Sequence, residues 1–121
     1  MTTRLLWIAM ISLMLTSSSV LAQTRLSAIQ TGERLYQRNC LRCHGPALDG
    51  KGPDAASLGV PPADFRTYLS RLKDEAELEK TIKQGKKFLG MHNWEDTLTD
   101  AQVRDLIAYI RSAAPQVKVK P

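Results

Sequence analysis

The chain has 121 residues, 43% of them hydrophobic and 24% charged, with a formal net charge of +5. That is globular composition with room for one domain, which excludes a disordered chain or a multi-domain enzyme. The positive excess is modest and, on a chain with an export signal, implies no nucleic-acid partner.

The first 22 residues do not belong to the domain. Arg4 provides a short positive start, and Leu5 to Leu15 is almost unbroken apolar sequence. A polar stretch from Thr16 to Ser19 follows, and Val20-Leu21-Ala22 places small residues at a cleavage position. This three-part pattern predicts a secretory signal peptide over 1–22, cut after Ala22, and an exported, periplasmic chain of residues 23–121. The alternative is a retained anchor, but the apolar core is shorter than the ~20 residues a spanning helix needs. No Cys stands at the cleavage position to take a lipid, so the chain is expected to be peripheral to the membrane at most.

An exported domain this small has a thin core and usually needs a disulfide, metal or cofactor to hold it. Its two cysteines, Cys40 and Cys43, are three residues apart. A bridge between them would close a loop too short to stabilise the fold much.

In chain order, Ser27-Ala28-Ile29-Gln30 fits a capping box and predicts a helix from there to about Cys40. Cys40-Leu41-Arg42-Cys43-His44 follows, the pentad of covalent haem attachment. Two thiols must add across the vinyl groups of one porphyrin edge, and cysteines three apart on a helical turn share a face. The adjacent His44 then offers an imidazole to the iron. A zinc half-site completed by His44 and His92 fits no familiar spacing. A thioredoxin-like redox pair would need a βαβ pattern around it, and none is visible.

Gly45 to Pro62 carries four glycines and four prolines with no alternating strand pattern, and reads as a long loop around something functional. Asp74-Glu75-Ala76-Glu77 starts a second helix, with Asp74 as its cap, Leu78 and Ile82 as its buried stripe and Gly85 as its stop. Thr99-Asp100-Ala101-Gln102 is a second capping box, and Leu98 and Val103 fit a hydrophobic staple. Val103, Leu106, Ile107 and Ile110 form one apolar face, and the helix ends between Ser112 and Pro115 before a short basic tail. Lys51, Lys73, Lys80, Lys83, Lys86 and Lys87 make the middle of the chain basic. They read either as a ring steering acidic partners or, slightly favoured, as a solvated face interleaved with Glu75, Glu77 and Glu79.

From about residue 28 to 112 the chain resembles a class I c-type cytochrome of the bacterial mono-haem type. The residues that carry the resemblance are Gly32-Glu33-Arg34-Leu35-Tyr36, the pentad with Gly45 after it, and Gly50-Lys51-Gly52-Pro53. They continue with Pro61-Pro62-Ala63-Asp64-Phe65, Gly90-Met91 and Leu98-Thr99-Asp100, and end with Leu106-Ile107-Ala108-Tyr109-Ile110. The resemblance implies an all-α fold of three main helices and long loops enclosing one covalent haem c. It implies a close crossing of the first and last helices at Gly32, packed by Tyr36, Leu106 and Tyr109. Cys40 and Cys43 would hold the haem, His44 would be the proximal ligand, and the Pro53 carbonyl would accept a hydrogen bond from its ring.

The distal ligand implied is Met91, with Trp94 packed against the haem edge or a propionate. The family usually has Pro after that Met; here His92 stands there, an alternative ligand, and an open or water-bound iron is a third possibility. The implied function is single-electron transfer between a redox protein donor and acceptor, without catalysis by this chain. Two other readings remain: a subunit of a larger periplasmic dehydrogenase or oxidase, or a gas-binding, weakly peroxidatic haem protein.

Overall fold

In the computed structural model the backbone is described for residues 2–119 and side chains for residues 20–119. Most of the expected leader therefore lies outside the described side chains, including Arg4 and the Leu5–Leu15 run. Among the described residues five helices follow one another, α1 Thr2–Asn39, α2 Leu41–His44, α3 Tyr68–Leu72, α4 Glu75–Gln84 and α5 Asp100–Ala113, with single 3-10 turns at Ala55–Ser57 and Lys87–Leu89. No strand occurs among the described residues; the only β-type pairing there is an isolated bridge between Lys86 and Met91. The fold is all-α, and α1, α4 and α5 are its three main helices.

The two downstream helices begin and end on the residues expected. Asp74 accepts a hydrogen bond from the Glu77 amide at 2.7 Å, and the chain leaves α4 at Gly85. Thr99 Oγ1 accepts from the Gln102 amide at 3.2 Å while the Gln102 side chain accepts from the Thr99 amide at 2.9 Å, a complete capping box. The stripes Leu78–Ile82 and Val103–Leu106–Ile107–Ile110 are buried.

The start of α1 differs from expectation. Ser27 lies inside the helix rather than at its end. With the upstream residues attached, the helical ladder continues through this point, and no free amides remain for Ser27 to cap.

α1 and α5 cross at close range. A Cβ added at Gly32 would stand 1.9 Å from the Asp105 carbonyl oxygen and 2.9 Å from Tyr109 Cβ. The backbones can approach this closely only because Gly32 has no side chain. Beside the crossing, Tyr36 and Tyr109 pack with ring centroids 5.3 Å apart, and Leu106 fills the remaining space. Gly32→Ala should force the helices apart, costing about 3 kcal/mol and lowering Tm by roughly 10–20 °C. A thermal melt of the purified protein checks this; an unchanged Tm would mean that the crossing is looser than described.

The tail beyond α5 is tied down. Arg71 Nε donates to the Pro115 carbonyl at 2.7 Å, and the Val117 amide donates to the Arg71 carbonyl at 2.8 Å. Arg111 bonds the Lys73 carbonyl at the end of α3. These ties position α3, which forms part of one side of the cavity described next.

Candidate cofactor pocket

A cavity of about 290 Å³ is bounded by α4 and α5, the short α2 and the loops. Its walls are mostly apolar, with Leu78, Ile82, Leu106 and Ile110 supplied by the buried stripes of α4 and α5. Cys40, Cys43 and His44 enter it from one stretch of chain, and Met91, His92 and Trp94 from another.

The pentad is held by local geometry. The Cys40 carbonyl accepts from the amides of Cys43 (3.2 Å) and His44 (2.9 Å), so the segment coils into one turn and both thiols reach the same cavity. The two cysteines form no disulfide, and each is half-buried. Burial, with a smaller contribution from Cys43, pushes the Cys40 thiol up to about 12, so it is protonated at neutral pH. Tyr36 donates from its hydroxyl to the Gly45 carbonyl at 2.7 Å, bracing the end of α2. Burial raises that phenol above its ordinary range, so it remains a donor.

His44 is oriented on two sides. Its Nδ1 donates to the Ala63 carbonyl at 3.2 Å, and its ring stacks on Phe65 with centroids 4.8 Å apart at 30°. Burial lowers its pKa, opposed by the weaker pull of the Ala63 carbonyl, which favours the neutral imidazole. A neutral ring with Nδ1–H engaged leaves Nε2 with a free lone pair, the form that can bind a metal.

The acceptor differs from the one the resemblance implied. Pro53 is exposed and is not part of the cavity wall. The amides of Gly52 and Asp54 bond the carbonyls of Cys43 and Arg42, at 3.1 and 2.8 Å, and Arg42 grips Asp54 through two side-chain hydrogen bonds. Those bonds fold the Pro53 segment back onto α2, while Ala63 comes round to the imidazole. Neither Ala63 nor Phe65 was singled out as a contact of His44 from sequence. The available signal was Pro61-Pro62, which favours extended backbone with its carbonyls unpaired. The Phe65 amide, bonded to the Leu48 carbonyl at 2.9 Å, then anchors the segment.

Met91 is half-buried and packed against the core. Its backbone exchanges both hydrogen bonds with Lys86, at 2.7 and 3.2 Å, so the segment is fixed even without a following proline. His92 is exposed, its ring centroid 4.1 Å from that of Trp94. Trp94 is half-buried, and its amide donates to the Lys83 carbonyl at 3.1 Å, tying this loop to the end of α4. Lys83 leaves the basic set, because it pairs with Asp100 at 2.8 Å and Glu79 at 3.8 Å.

Among the described residues no three of His, Cys, Asp and Glu gather to hold a metal ion by themselves. Among the described residues the zinc reading therefore has no preformed site, and the thioredoxin-like reading has no strands to rest on. An apolar cavity with two thiols, a neutral imidazole and a thioether on its walls does fit an iron porphyrin. Its faces need apolar contact, and its iron takes soft or imidazole ligands.

Comparison with known proteins agrees with this fit. The family described as cytochrome c oxidase, cbb3-type, subunit III matches residues 27–110. The chain is 30% identical over 89 residues to the cbb3-type cytochrome c oxidase subunit CcoP of Azospirillum brasilense, covering 74% of this chain and 30% of that protein. It is 33% identical to subunit FixP of Bradyrhizobium diazoefficiens, covering 67% and 26%. It is 35% identical to the dihydro-heme d1 dehydrogenase of Pseudomonas aeruginosa, covering 70% and 15%. The chain thus spans less than a third of the length of these curated relatives. A solved structure, the Kuenenia stuttgartiensis reducing HAO-like protein complex Kustc0457/Kustc0458, shares the fold at a TM-score of 0.62 and 23% identity, covering 74% of this chain and 47% of that one. An apolar pocket with a CxxCH turn on one side and a Met-bearing loop on another, in a chain matched by this family over residues 27–110, leads to one assignment: the protein belongs to the cbb3-type cytochrome c oxidase subunit III family and is a class I c-type cytochrome domain.

Proposed function

We propose that this chain is an exported, single-haem electron carrier. The observation that carries the reading is the convergence of Cys40, Cys43, His44 and Met91 on one apolar cavity. Haem c supplies the Fe(III)/Fe(II) couple. Cys40 and Cys43 would hold it covalently, and His44 would serve as proximal ligand through Nε2, aimed by Ala63 and Phe65. Met91 would be the distal ligand, and Trp94 would close the wall beside it. His44 and Met91 both sit on braced segments, so little protein motion would accompany a change of oxidation state. A thioether ligand also favours the ferrous form and raises the potential relative to two histidines. With His44 and Met91 both holding the iron, the chain would leave catalysis to a partner.

The names of the relatives favour a second arrangement of the same chemistry, in which the domain passes electrons within a larger oxidoreductase. In either arrangement donor and acceptor are redox proteins. Residues 1–22 are read as a signal peptide that takes the chain to the periplasm.

Intact-mass measurement of the protein from its native cell should give the chain from Gln23 plus one haem. A redox titration of the same sample should follow a single one-electron wave. A mass lacking the haem would remove the covalent assignment, and a mass retaining Leu5 to Leu15 would replace the signal peptide with an anchor.

A further inference from the structure

Cleavage after Ala22 would make Gln23 the first residue of the mature chain. A glutamine side chain sets its carboxamide carbon at the distance of a five-membered ring from its own α-nitrogen. Inside a chain that nitrogen is an amide and a poor nucleophile; at a chain start it is an amine. The structure leaves this position free to react. Every residue from Val20 to Ser27 is exposed, and Ala28 is the first described residue of α1 to be even half-buried. Val20, Leu21 and Leu26 stand 65%, 73% and 59% in solvent, so this stretch of α1 projects clear of the body. The close crossing with α5 comes later, at Gly32. Gln23 itself borders an open cleft with Thr24, Ser27 and Asp105, which leaves its carboxamide room to turn back on the backbone.

We propose that Gln23 is a modification site: once the leader is removed it closes on itself, and the mature protein begins with pyroglutamate. The neutral α-amine attacks the side-chain carboxamide carbon and forms a lactam C–N bond. The bond from that carbon to the side-chain nitrogen breaks, and the nitrogen leaves as ammonia with the proton that the amine gives up. Nothing is oxidised or reduced, and no co-reactant is consumed. An α-amine titrates at about 8, so part of it is neutral near neutral pH. The positive end of the α1 dipole disfavours a cation at the helix start and enlarges that part. Closure then removes the charge from this end altogether. It also leaves the exposed stretch 23–27 without the free amine that an aminopeptidase grips. The proposal rests on the signal-peptide reading and refines the mass expected from it, to the chain from Gln23 plus one haem less one ammonia.

The test takes the holoprotein from freshly broken native cells straight to intact-mass measurement with fragmentation of the whole chain. The expected mass is short by one ammonia, with the deficit confined to fragments that contain residue 23. Stepwise N-terminal degradation should read nothing until pyroglutamyl peptidase is added, and should then begin at Thr24. Gln23→Asn keeps the carboxamide, but its closure would need a strained four-membered ring. That variant should keep its full mass, read from its first residue at once, and lose residues 23–27 to an aminopeptidase severalfold faster than the parent. Its haem spectrum and Tm should match the parent's, because residue 23 is exposed and lies outside the core. A full-mass chain that reads directly from Gln23 would overturn the lactam and keep the leader cut. A mass that retains Leu5 to Leu15, or a chain that starts at any other residue, would overturn the cut and the lactam with it. A deficit absent from fresh cells and gained only on storage would overturn the proposal too, since the native chain would then carry an open amine.

Discussion

Changing Cys40 and Cys43 together to Ser is expected to yield an apo-chain with little cooperative tertiary structure. Leu78, Ile82, Leu106 and Ile110 turn part of their apolar surface into the cavity, so without a cofactor they face water or a void. At about 24 cal/mol per Å³, a dry void of about 290 Å³ would cost on the order of 7 kcal/mol. That is an upper estimate, since this cavity opens to solvent, but it rivals the whole stability of a small domain, roughly 5–15 kcal/mol. Binding energy for the cofactor is therefore folding energy here. Circular dichroism should show reduced helix and a thermal transition broadened or lost. Each single Ser variant keeps one attachment point and should fold with a lower Tm, its haem resisting acid–organic extraction through the remaining thioether. A double variant that folds and melts like the parent would show that the core does not depend on covalent haem.

Met91→Ala is the second substitution with a large expected effect. It removes the half-buried thioether and leaves His92 as the nearest replacement. The oxidised parent should show the weak long-wavelength band of sulfur–iron charge transfer, and Met91→Ala should abolish it. The potential should fall by a sizeable part of the roughly 0.8 V range that axial ligation spans. The reduced variant should also bind carbon monoxide, unless His92 leaves its contact with Trp94 and turns inward. His92→Ala should keep the band, because Met91 is held by its own backbone bonds to Lys86 and not by its neighbour. The reverse pattern, with Met91→Ala spectrally silent and His92→Ala disruptive, would make His92 the ligand. Persistent carbon monoxide binding by the parent would instead support the gas-binding reading.

What could be read from the sequence was whatever acts within about one helical turn. Asp74 and Thr99 each cap the amide three residues ahead, and Leu78–Ile82 and Val103–Ile110 repeat at the helical period. The two cysteines and His44 share one turn through their own spacing. Those relations depend on local backbone geometry, and they appear in the structure on the residues named. The Gly32 crossing was accessible through family resemblance, because a helix contact this close excludes a side chain.

The rest needed the tertiary structure. The partner of His44 Nδ1 lies 19 residues away, and which carbonyl arrives there depends on the path of the whole intervening loop. Arg42–Asp54 and the amides of Gly52 and Asp54 take the Pro53 segment back to α2, so Ala63 reaches the imidazole instead. The exposure of Phe88 has the same origin. It stands in a turn whose two ends, Lys86 and Met91, pair with each other, and at 105% of its reference area it lies wholly outside the core. Spacing along the chain determines contacts within a turn; contacts between loops are decided by the summed hydrogen bonds and packing that set each loop's course.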